Sequence, residues 1–225
     1  MINVTAHPGP RPSAEIRAYL RTQLNNMLRR PGMYGPEVAL RLLLDYLSYA
    51  EREEDAWAEE HEALHSRGAF NAFGVAGAFS SVIPGRDDNA VASIYAEFAR
   101  DRGWLDVERT LTGEEYASLR RELATWTAQD RILADVHEAF GPPSVLFGST
   151  NPHFGSTLAY LTERTTEPMV FFHLWNGTSD EPVRRPIFDE PVLLAVRVGR
   201  GPFEDSFTFT PEGNRRRPEP PDLYG

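Results

Sequence analysis

The sequence predicts an α+β protein, with an N-terminal helical layer of about four to five helices packed on a C-terminal, mostly antiparallel sheet of about five strands. Three observations predict it. Apolar residues recur at intervals of three and four from Ser13 to Phe140. Beyond Pro142-Pro143 the apolar period drops to two. No helix-length pattern separates the later segments, which favours a meander over parallel crossovers.

Residues 1–12 hold Pro8, Pro10 and Pro12 and read as a loose arm. Ser13 caps a helix to about Leu28, with Ile16, Leu20, Leu24, Met27 and Leu28 on one side. Pro31-Gly32 stops it. A second, long helix is predicted from near Pro36, a favoured first-turn residue, read as continuous through His65 and ending near Gly68. Its buried side would carry Leu43, Tyr46, Leu47, Ala50, Trp57 and Leu64, with Glu51, Arg52, Asp55 and Glu59 facing away. Residues 68–85 contain four Gly and three Phe and read as a close-packed connection. A phosphate cradle is the alternative there, because Gly lets backbone N–H groups approach an anion.

Asp87 or Asp88 caps the next helix, which ends before Gly103 and buries Val91, Ile94, Tyr95 and Phe98. Thr112 and Glu115 have capping-box spacing. The helix they open buries Tyr116, Leu119, Leu123 and Trp126, and a short piece over 132–140 completes the helical half. Strands are predicted at 145–147, 157–161, 169–175, 192–198 and 206–210. The segment PMVFFHLW is almost wholly apolar, which places it centrally in the sheet. One domain is expected over 13–210, with a helical half 13–141 and a sheet half 142–210. Residues 211–225 read as a flexible Pro-rich tail.

Composition narrows the chemistry. The absence of Cys excludes disulfides, thiolate metal sites and thiol catalysis. Every basic side chain is Arg, so Schiff-base chemistry is excluded too. A net charge of −10 argues against an extended nucleic-acid surface and suits a basic partner. No apolar run is long enough to span a bilayer and no secretory signal opens the chain, so the expected location is cytoplasmic, away from membranes.

Two short motifs stand out. Arg30-Pro31-Gly32-Met33-Tyr34 resembles the R-P-G-M-Y segment of type II topoisomerase ATPase domains over these residues alone. No D-x-G-x-G or Gly-rich lid follows, and the segment reads as a turn into the next helix. His61-Glu62-Ala63-Leu64-His65 is an H-E-x-x-H pattern, which sets two His one turn apart on a helix. It resembles the zincin metalloproteases. That resemblance implies zinc held by His61 and His65, with Glu62 as general base to a metal-bound water. The string HEALHSRGAFN follows the metzincin pattern through Gly68, but Asn71 stands where the third His would be. A gluzincin-like arrangement would instead take Glu97, which a helical wheel turns away from the apolar stripe of its helix.

The preferred reading is that His61 and His65 line the end of an interhelical core and no cofactor is bound. The third ligand is missing, and the strands follow the motif rather than precede it. Neither G-x-S-x-G nor a row of aromatics interleaved with Arg occurs. Between Glu51 and Glu62 seven acids face one Arg. The function read from the sequence is therefore a non-catalytic, cytoplasmic protein-binding module, of immunity or antitoxin type. It would use Glu53, Glu54, Glu59 and Glu60 against a basic protein. A zinc-dependent hydrolase or structural metal site on His61 and His65 is the alternative.

Overall fold

A computed structural model describes residues 12–85, 87–151, 153–179 and 185–219. Among them, helices α1 (Ala14–Arg29), α2 (Pro31–Tyr34), α3 (Glu37–Glu51), α4 (Glu54–Ser66), α5 (Gly74–Phe79), α6 (Asp88–Asp101), α7 (Gly113–Trp126) and α8 (Leu133–Phe140) precede the sheet. Strands β1 (Val145–Gly148), β2 (Ser156–Tyr160), β3 (Val170–Trp175), β4 (Val192–Val198) and β5 (Phe207–Phe209) follow, and α9 (Pro211–Arg216) closes the fold. The sheet order is β1-β2-β3-β4-β5, antiparallel throughout, with β3 in the centre. The α+β class and the meander stand as predicted.

The helices divide between two faces of the sheet. On one face the main core gathers α1, α3, α4, α5 and α6 against Phe147, Ala159 and Phe171. On the other, Leu119 and Leu123 of α7 and Val136 of α8 pack on Leu158, Phe172 and Val196. Adjacent residues of one strand thus serve opposite cores, as the period-two pleat requires. Near-continuous apolar runs such as VFFHLW follow from this, because neither face of β3 meets water.

Helix α6 is the axis of the main core and is buried on every side from Ala90 to Arg100. Asp87 caps it by accepting from the Asn89 and Ala90 amides. At its other end Arg100 donates to the carbonyls of Thr162, Arg164 and Glu167, pinning the helix to the β2–β3 connection. Asn25 of α1 bonds the Trp104 carbonyl at 2.8 Å and the Asp106 amide at 2.7 Å. That contact fixes α1 on the segment leaving α6.

Three elements differ from the sequence reading. The long helix over 36–65 is two helices, broken at Arg52, which adopts φ 65° and ψ 42°. Ser48 accepts the Glu53 amide there, closing α3. Between Ala50 and Ala56 no apolar residue is present to hold a continuing helix on the core, so the break removes no packing. Second, residues 211–216, expected to open a flexible tail, form α9. Thr210 caps it by accepting the Gly213 amide at 3.0 Å. Arg216 lies over the rings of Trp175 and Phe188. The part of the expected tail from 220 onward, and the expected arm over 1–11, lie outside the described residues. Third, the Gly-rich stretch, read as a close-packed connection, holds the short helix α5, and the alternative of a phosphate cradle finds no empty cradle. The Glu37 carboxylate accepts the Val75 and Ala76 amides, both at 2.9 Å, and the Tyr95 hydroxyl. Burial, then the Glu37 charge, pushes the pKa of Tyr95 up, so its hydroxyl stays a donor. Among the described residues no helix is long and apolar enough to cross a membrane.

Candidate protein-docking face

Helix α3 packs on α1 through Leu40, Leu44 and Leu47, yet it is apolar on its outer side as well. Val38, Leu42, Tyr46 and Tyr49 are 54, 47, 61 and 43 % exposed, and they recur at intervals of four and three, forming one stripe. Tyr46, read from sequence as a buried position, is the most exposed of them. Ile16 and Tyr19 of α1 are exposed too. The Arg21–Glu51 ion pair, at 2.6 Å, sets the first half of α1 beside the end of α3. Scattered exposed apolar residues are ordinary in proteins, but a stripe of this length on one helix makes this side the candidate interaction face.

Helix α4 lies along this stripe. The buried indole of Trp57 donates through Nε1 to Asp45, the polar residue within the α3 stripe. One turn on, the His61 and His65 rings lie 4.9 Å apart. Phe70 packs against both, at 4.7 and 4.5 Å, and the Arg41 guanidinium lies over Phe70. Burial, then the neighbouring Arg41 and His65, lowers the pKa of His61 and keeps its ring neutral. The i,i+4 spacing therefore does bring the two His side by side, with the Phe70 ring against both and the Arg41 cation over that ring.

No third ligand joins them. Among the described residues no group of three or more His, Asp or Glu is placed to hold a metal. Asn71 is turned into its own loop, where its side chain accepts the Phe73 amide at 2.9 Å. Glu62 is solvent-exposed. Glu97, which the helical wheel turned outward, is instead buried, 3.1 Å from Arg197 and 3.5 Å from Arg67. It belongs to a charge network that clamps α4, α6 and β4 together. Arg200 extends it, bonding Asp101 at 2.7 Å and approaching Glu60 at 3.7 Å.

That network divides the acidic run. Glu60 lies between Arg200 and Arg67, and burial raises its pKa. Glu53 pairs with Arg102 at 3.0 Å. Of the four acids assigned to binding, these two are engaged inside the molecule. Glu54 and Glu59 form no ion pair among the described residues, and neither do Asp55 and Glu62. Glu54 and Asp55 also stand in the first turn of α4, where a carboxylate is favoured by the helix dipole. The apolar α3 stripe is the part of this face that sequence reasoning missed. The signal was present in LRLLLDYLSY, whose apolar residues outnumber what one buried side can hold. No protein-family model matches the chain, and the comparisons with curated proteins and with solved structures give no match either.

Proposed function

We propose that this chain is a non-catalytic protein-binding module, of the kind immunity and antitoxin proteins represent, and that it docks a basic partner on its α3–α4 face. The observation carrying this reading is the exposed α3 stripe of Val38, Leu42, Tyr46 and Tyr49, with acids on the neighbouring helix α4 that form no ion pair among the described residues. An apolar centre with a charged border is the anatomy of a docking surface. The apolar residues supply affinity, and the acids supply steering and partner choice. Relative to the sequence reading, Glu54 and Glu59 are kept, and Asp55 and Glu62 take the places of Glu53 and Glu60.

A synthetic Leu/Arg amphipathic helix tests this, with a Leu/Glu peptide of the same pattern as control. The Leu/Arg peptide is expected to bind saturably, more weakly as salt rises, and to lose about tenfold or more in affinity on Leu42→Glu or Tyr46→Ala. Glu53→Gln is expected to leave binding unchanged. Equal binding of both peptides, or full binding by Leu42→Glu, would remove the basis of the proposal.

A further inference from the structure

A second site lies away from the docking face, where the α1–α2 turn meets the sheet margin. Two cavities of about 420 and 380 Å³ open there, within the range of small-molecule sites. They share Arg30, Gly148, Ser149, Thr150 and Phe154 in their walls, so they form one groove divided by the β1–β2 connection. The R-P-G-M segment singled out in the sequence forms the wall of the larger cavity through Arg30, Pro31, Gly32 and Met33.

Its charge is opposite to that of the whole molecule. Among the described residues no acid lines the larger cavity. Glu108 lines the smaller one, but it is held 2.6 Å from Arg29, so these two charges cancel. Arg30 is left as the net positive charge, with no ion pair among the described residues, beside the Ser149 and Thr150 hydroxyls. Met33 and Phe154, both largely exposed, supply apolar wall, as do Leu133, Leu146 and Leu158 of the smaller cavity, beside the uncharged polar side chains of Asn89, Asn151 and Ser156 and the His137 ring. By contrast, the cavity of about 280 Å³ beside Glu97 is lined by Arg and Asp side chains that already bond protein partners.

From this arrangement we infer that the groove binds a small molecule with one anionic head and an apolar body, a carboxylate, sulfonate or phosphate ester. Arg30 takes the head in charge-assisted hydrogen bonds, with Ser149 and Thr150 as further donors. Met33 and Phe154 cover the body. The site does not depend on the docking face and stands or falls separately.

Anilinonaphthalene sulfonate, an aromatic monoanion, is the probe, titrated by fluorescence into the full chain. Phenyl-naphthylamine, its counterpart without the sulfonate, is the control. The sulfonate is expected to bind one saturable site, about tenfold or more tightly than the neutral ring. Arg30→Gln and Phe154→Ala are each expected to weaken it by a similar factor, with unchanged far-UV dichroism and urea midpoint. Arg30→Gln is expected to leave the neutral ring unaffected. Sulfonate affinity unchanged in Arg30→Gln would overturn the assignment. So would binding that survives both changes but is lost in Leu42→Glu, because the dye would then sit on α3.

Discussion

His173 shows how a single residue ties packing to pH. Its ring is buried between Phe79 and Phe207, with Thr157 3.1 Å from Nδ1 and no partner for Nε2 among the described residues. Burial, then the nearby Arg197 cation, holds its pKa well below the ordinary value of about 6.5. The unfolded chain takes up a proton below that pH while the folded chain does not. Stability from this residue is therefore complete above about pH 6.5 and declines, by at most about 1.4 kcal/mol per pH unit, as the pH falls from there to the folded-state pKa. In urea titrations between pH 7.5 and pH 5, His173→Phe is expected to fall less steeply than the parent. Parallel pH profiles would show that His173 ionises in the folded state. The His61 and His65 pair is a residue-scale matter as well. Helical spacing sets them side by side, but the Phe70 that packs against both comes from a loop whose path no spacing rule foretells.

At the scale of elements, α9 tests how closely backbone packs on backbone. Gly213 is buried, and a methyl group there would be driven into the Leu194 carbonyl of β4. Gly213→Ala is expected to lift α9 from the sheet, to cost about 1–3 kcal/mol, and to raise amide exchange over 211–216. Unchanged protection there would show that α9 tolerates the added carbon. Thr210-Pro211 is a start signal for α9, which a reading by Pro content alone passes over. The strands were legible to within about two residues because turn residues and a period-two pattern agree there. Glu97 was not legible for a different reason. A helical wheel assumes one solvent side, and α6 has none, being enclosed by the sheet and the other helices. Its charged residue can be identified as buried only when Arg197, a hundred residues later, is known to lie opposite. The α3 stripe was hidden by the converse. Its apolar residues exceed one buried side, and the pattern alone cannot say which of them the fold leaves outside.

At the scale of the whole molecule, one sheet joins two cores. Phe171 enters one and Phe172 the other, so neither core can loosen without disturbing β3. Unfolding is expected to be a single transition. Trp126 reports the second core, while Trp57 and Trp104 report the first. Urea midpoints from a variant keeping only Trp126 and from Trp126→Phe, each compared with its own far-UV dichroism, are expected to coincide within each variant. A separate, earlier fluorescence midpoint for Trp126 would show that the α7–α8 layer opens by itself.

The strand lengths carry one more consequence. The inner strands β2, β3 and β4 have five, six and seven residues, and the outer strands β1 and β5 have four and three. Each outer strand stops abruptly, one at Gly148 and the other just before Pro211. A second molecule approaching either margin meets only three or four residues of unpaired backbone before the chain turns away, too little template for edge-to-edge growth. The molecule thus carries its most fibril-prone segment, VFFHLW, in the middle of the sheet and leaves only its shortest strands at the margins, a geometry that resists aggregation without any charged gatekeeper inside the strand.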